Sequence, residues 1–132
     1  HSEMCENWGY SRLYKAIRKE SIDEMKHAEK VIARLLYLGG IPNMARYFEI
    51  RVGTNVQEML ENDLALEEEA IERLNTCIQL AHTHKDFGSS ELLESILSDE
   101  EEHIDWIEAQ LDQVQQIGIG GYLAQQIKLD DE

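Results

Sequence analysis

Five of the 132 residues have the types and spacing of a metal site: Glu24 and His27, Glu67, and Glu100 and His103. A Glu and a His three positions apart project from one face of an α-helix, so each pair can converge on a single ion. Both pairs follow an aspartate, giving Asp23-Glu24-x-x-His27 and Asp99-Glu100-x-x-His103. Two Glu-x-x-His matches alone are weak evidence, because about 0.6 is expected by chance from this composition. Requiring the preceding Asp lowers that expectation to about 0.04 for even one, which makes the pair worth pursuing. Carboxylate oxygens can bridge two ions while a neutral imidazole completes one of them. A nitrogen and oxygen donor set without thiolates favours iron or manganese over a structural zinc. The competing reading is a buried acid and histidine network that holds no metal. His82 and His84 fall at a helix end and read as surface or capping residues.

All five candidates interrupt apolar stripes of 3.6-residue period. The first segment runs roughly from Leu13 to Leu38, with Ile17, Ala28, Val31, Leu35 and Leu38 on the stripe and Glu24 between Ile17 and Val31. Ser21 to Glu24 fits a capping box, but the apolar spacing continues upstream to Leu13, so the helix is expected to be longer. Gly39, Gly40 and Pro42 end it. After a connection from Ile41 to Gly53, a second helix is expected from Thr54 or Asn55, with Gln57 or Glu58 at N3, to about Lys85. Glu67 lies on its Leu60, Leu64, Ile71, Leu74 face. A break around Asp86 to Ser90 leads to a third, with Leu93, Ile96, Ile107, Leu111 and Val114 on its stripe around Glu100 and His103. Gly118, Gly120 and Gly121 end that helix, leaving one or two turns between Tyr122 and Leu129.

Helices of ~25 to 30 residues are ~40 Å long and must bury their stripes against partners of equal length. Three such stripes want a fourth. His1 to Trp8 read as the last two turns of a helix ending at Asn7-Trp8-Gly9. The expected fold is therefore all-α, a four-helix bundle whose first helix is largely missing from this chain, with a short C-terminal fifth helix, in one domain over 1–132. The groove left by the first helix is expected to be covered by preceding residues, a cleaved peptide or a neighbouring chain. Met25 lies about 100° round from Glu24, on a second stripe with Ile22, Ile32 and Leu36, and so faces a neighbour rather than the bundle centre. That second apolar stripe calls for an isologous partner.

Twelve basic against 27 acidic side chains give a net charge of −15. This balance excludes a nucleic-acid or anionic-membrane surface as the main business and suits the attraction of cations. No apolar run approaches the ~18 residues of a membrane span. The single proline, Pro42, favours helices. Cys5 and Cys77 are too few and too far apart for a disulfide framework or zinc knuckle and read as free thiols in a reducing compartment.

With these residues in view, the chain resembles a bacterioferritin subunit. Ser21-Ile22-Asp23-Glu24-Met25-Lys26-His27-Ala28 is similar to that family's second-helix signature, and Asp99 to Glu108 to its fourth. Asp63 to Glu67 and Leu38 to Asn43 fit its third helix and the turn before its long connection, so the likeness covers essentially the whole chain. The resemblance implies that Glu24 and Glu100 bridge two irons, that His27 serves one, and that Glu67 and His103 serve the other. It implies haem b held by Met25 from each of two subunits, a hollow cytoplasmic shell of 24 subunits storing ferric mineral, and a small ferredoxin for iron release. The implied activity is ferroxidase: Fe(II) is oxidised at the di-iron site and passed to the cavity. The alternatives are a rubrerythrin-like di-iron oxidase or peroxidase, and a haem-binding shell subunit with an inactive metal site. Two departures stand out. The family's first-helix glutamate would lie before His1, and Lys19 stands where many members have a histidine lining the inner surface.

Overall fold

The computed structural model describes residues 1–46 and 49–127. Its elements are α1 (Ser2–Asn7), α2 (Ser11–Tyr37), α3 (Val56–Thr83), α4 (Phe87–Ile117) and α5 (Ile119–Gln126). This is the all-helical arrangement that the stripes predict, with the expected short fifth helix. The starts of α3 and α4 have local causes, whereas α1, α2 and α5 begin without a side-chain cap. Asn55 caps α3 by accepting from the Glu58 amide at 2.9 Å, while Glu58 reaches back to the Thr54 amide at 2.7 Å. Asp86 caps α4 by accepting from the Ser89 amide at 3.2 Å. The Ser21 capping box starts nothing, because α2 runs unbroken through it.

Contacts between helix ends fix the topology. α1 turns back through Gly9 so that its buried Cys5 packs with Leu13 of α2. Leu13 also shares a core with Val56, Met59 and Leu60 at the start of α3, so α2 and α3 run parallel and the long 38–55 connection spans the bundle's length. At the other end, Arg34 of α2 donates to Asp86 at 2.8 Å and Ser89 at 2.9 Å, which sets α4 antiparallel to α2. The connection is pinned at its far end, where Arg51 donates to Glu69 at 2.8 Å and the Gly53 amide donates to His1 at 3.1 Å. Gly53 must be glycine there, since a Cβ would come within 2.5 Å of the Met59 amide nitrogen.

The tightest packing lies at the end where α5 folds back. Leu13, Met59, Leu60, Ile107 and Tyr122 are essentially inaccessible, and the Tyr122 hydroxyl donates to Gln110 at 2.7 Å. Gly118, at φ +80°, makes the reversal between α4 and α5 in a left-handed conformation that a side chain would strain. Gly120 and Gly121 do not end α4, contrary to the sequence expectation; they lie within α5, which begins at Ile119 and so earlier than Tyr122. The expected tail beyond Ile127, to Leu129, lies outside the described residues.

Three stripe positions differ from expectation. Ala28 is exposed, Val31 is 41% exposed and Leu38 55%, although all three are on the inner stripe predicted for the first long segment. Ala28 and Val31 continue the helix face of Ile17 and Glu24, which line the groove between α2 and α3. Ile22, Met25 and Leu36 of the second stripe are exposed too, as an outward-facing surface requires. Among the described residues no helix is long and apolar enough to cross a membrane. Both cysteines are free.

The core makes a direct prediction. Leu13→Ala removes a fully buried side chain that joins three helices and should lower the unfolding free energy by about 2–5 kcal/mol in denaturant titrations. Arg18→Ala, on the exposed side of the same helix turns, should cost less than about 0.5 kcal/mol.

Candidate metal centre

The five residues singled out by spacing meet at mid-height in the bundle, near the middles of α2, α3 and α4. Glu100 is 2% exposed, His27 7% and His103 9%, while the Glu24 side chain is 44% accessible, so the cluster reaches from the interior to the edge of a groove. Ligand atoms of Glu24, Glu67, Glu100 and His103 all fall within 4.8 Å of one another. His103 Nδ1 faces Glu24 Oε1 at 3.3 Å, Glu67 Oε1 at 3.9 Å and Glu100 Oε2 at 4.0 Å, one carboxylate from each of three helices. His27 Nδ1 faces the opposite oxygens of two of the same carboxylates, Glu100 Oε1 at 3.1 Å and Glu24 Oε2 at 3.8 Å. Glu24 and Glu100 thus lie between the two imidazoles, each with one oxygen toward either ring.

Three of these atoms are buried without any hydrogen-bond partner: Glu24 Oε1, Glu67 Oε2 and His103 Nδ1. Leaving polar atoms orphaned in a core is costly, and three at one point, all with lone pairs to offer, is what a cation would satisfy. The residues therefore fit a hard or borderline metal ion. His27 has a further partner that spacing did not reveal, since its Nε2 donates to Asp99 Oδ2 at 2.7 Å. That bond crosses from α2 to α4, and no count along one helix could find it. His82 and His84 stay apart from the cluster, at the exposed end of α3, as expected.

Electrostatics records the crowding. Burial, reinforced by the neighbouring Glu100, pushes the Glu24 carboxyl up to about 7. Burial and the adjacent Glu67 push Glu100 up to about 7 as well, and burial raises Glu67. Two acids that spacing did not single out share this field. Glu20 rises to about 7 by burial and the charge on Asp63, and Asp63 rises to about 6 by burial. Both line a groove of about 210 Å³ between α2 and α3 that opens onto Glu24 and Glu67. The signal for Glu20 was available, one turn before Glu24, but an isolated Glu on an acidic surface does not stand out.

These shifts set a pH dependence. A carboxyl whose folded value lies above its unfolded one stabilises the fold at low pH and loses that contribution as pH rises through the folded value. The metal-free protein should therefore lose stability between about pH 4.5 and 7, with the melting temperature falling by about 5 °C or more across that window. The Glu24→Gln/Glu100→Gln variant should show a flatter profile by calorimetry. An equally steep profile would place the dependence elsewhere.

A family model for the ferritin-like domain matches residues 1–117. The chain is 43% identical over 125 residues to a bacterioferritin of Mycobacterium avium, a match covering 95% of this chain and 79% of the relative. Against a bacterioferritin of Mycobacterium leprae it is 46% identical with the same coverage. A bacterial ferritin of Pseudomonas aeruginosa is 43% identical over 128 residues, covering 96% of this chain and 82% of that protein. With its helices in the order the fold demands and its carboxylates and imidazoles gathered at one depth, the chain belongs to the ferritin-like family and, within it, to the bacterioferritins.

Proposed function

We infer that this chain, as one ferritin-like domain over 1–132, is the ferroxidase subunit of an iron-storing shell. Glu24, His27, Glu67, Glu100 and His103 form its reaction centre. The observation that carries this reading is the placement of Glu24 and Glu100, each with one oxygen toward His27 and the other toward His103. Two cation positions share two carboxylates in that arrangement. Glu67 gives the His103 position a further carboxylate.

Fe(II) is the substrate: two ions bound here reduce one dioxygen to hydrogen peroxide, or one hydrogen peroxide to two waters, and leave as Fe(III). The protein's part is to supply charge and a proton reservoir. Binding two dications draws the protons off Glu24, Glu67 and Glu100, whose raised affinity for protons keeps part of the cluster neutral until metal arrives. Asp99 holds the His27 ring so that Nδ1, not Nε2, faces the centre. Glutamate stems are flexible enough for the carboxylates to shift as the charge on the ions changes. The net charge of −15 collects cations and keeps Fe(II) supplied.

Assembly and haem belong to the same reading. Met25 is 62% exposed on an outward face with Ile22 and Leu36, so its thioether is available to a group shared with a second copy. We assign Met25 as a ligand of haem b there, one from each of two subunits in a 24-subunit cytoplasmic shell. Bound haem would supply an electron path for reductive release of iron, with a small ferredoxin as donor. Two uncharged thioethers favour the reduced iron such a path requires.

Two measurements test the reading. Glu100→Ala and His103→Ala should each slow Fe(II) oxidation by about 100-fold or more, since loss even of outer partners costs metal sites 10- to 100-fold. Stopped-flow absorbance would show it, and unchanged rates would overturn the assigned centre. Met25→His should leave assembly intact by light scattering and shift the haem absorption bands; an unaltered spectrum would remove Met25 from the haem site.

A further inference from the structure

The repeated Asp-Glu-x-x-His motif places the same three side chains on α2 and α4, yet the two aspartates do different things. Asp99 of α4 reaches across to α2 and accepts from His27 Nε2 at 2.7 Å. Its counterpart Asp23 of α2 accepts from Lys19 Nζ at 3.1 Å, one turn back on its own helix. His103 keeps its carboxylate contacts on Nδ1 alone. Lys19, Asp23, His27, Asp99 and His103 all line one groove of about 350 Å³ between α2 and α4. The hydrogen bond and charge of Lys19 hold the Asp23 carboxyl below the usual range, while Asp23 and His103 stand in the wall of the same groove.

We propose that Lys19 is a positioning residue that diverts Asp23 from His103, so that the two metal positions of the centre are built with unequal histidines. His27 is braced by an outer carboxylate, which fixes its ring and makes Nδ1 a stronger donor. His103 lacks that brace and has Glu67 as an additional carboxylate beside it instead. One position is thus tuned through its imidazole and the other through its charge. The asymmetry rests on a single exposed ion pair, since the Lys19 side chain is 79% accessible. Exposed pairs hold weakly and are screened by salt, so the balance is one that a single substitution tips.

This inference rests on the metal-centre reading given above, and its test separates the two. Lys19→Gln frees Asp23 to accept from His103 Nε2. In the metal-free, histidine-¹⁵N-labelled protein at pH 8.5, the His103 Nε2 proton should move downfield toward the His27 position. Lys19→Arg should leave it in place, and Lys19→Gln/Asp23→Asn should return it. In Zn(II) calorimetry the step lost in His103→Ala should tighten about three- to tenfold in Lys19→Gln, within the range that outer partners control. The step lost in His27→Ala should stay within about twofold, since removing one exposed charge acts on both positions alike. A His103 proton already as far downfield as that of His27 in the unaltered protein, or one unmoved in Lys19→Gln, would overturn the role of Lys19. Absence of any Zn(II) binding in the unaltered protein would overturn the metal-centre reading instead and leave the ring-proton result to decide Lys19 alone.

Discussion

Three carboxylates packed against one another inside a helical bundle repel, and each resists leaving water. Glu24, Glu67 and Glu100 come from three different helices and meet within a few ångströms. Their mutual position therefore depends on positive charge supplied at that point, by protons in the metal-free chain and, on the function proposed above, by a metal ion when one is bound. Much of the architecture serves this requirement. The parallel placement of α2 and α3, with α4 antiparallel to α2, brings three helix middles to one depth. The apolar core at the α5 end holds that register independently of the site, through Leu13, Met59, Ile107 and Tyr122.

Separating scaffold from site explains how the site can afford poor satisfaction. Orphaned atoms on Glu24, Glu67 and His103 would be a liability at the tightly packed end. Placed one to three turns away, beside open grooves, they form a locally unfavourable arrangement that a bound cation would make favourable. Stability and metal affinity are then linked through the same protons. Every proton the cluster retains near neutral pH must be displaced by the metal, and every cation bound removes a cost that the fold otherwise bears.

The sequence disclosed the parts of this design that are local. Glu-x-x-His places both side chains on one helical face whatever the rest of the chain does, so Glu24 with His27 and Glu100 with His103 were legible at once. Glu67 was legible because an acid on the Leu60, Leu64, Ile71, Leu74 stripe must face inward. The helix start at Asn55 follows from capping chemistry read off the sequence, whereas Asp86 caps α4 inside the stretch that reads as a break, so that helix begins earlier than expected, at Phe87. What depends on register between helices was hidden. The bond from His27 to Asp99 needs the rotation of α2 against α4, which no periodicity encodes. Ala28 and Val31 read as core because their stripe is continuous, yet burial needs a partner helix as well as a stripe. Gly120 and Gly121 read as breakers, yet Gly118 alone takes the left-handed backbone, and the other two continue as helix.

The central claim is that two ions share Glu24 and Glu100 between His27 and His103. Crystals soaked anaerobically in Fe(II) and measured at the iron absorption edge test it most directly. The account predicts two anomalous peaks about 3.5–4 Å apart, the spacing of carboxylate-bridged pairs, one beside each histidine Nδ1. A single peak, or none between the two rings, would contradict it.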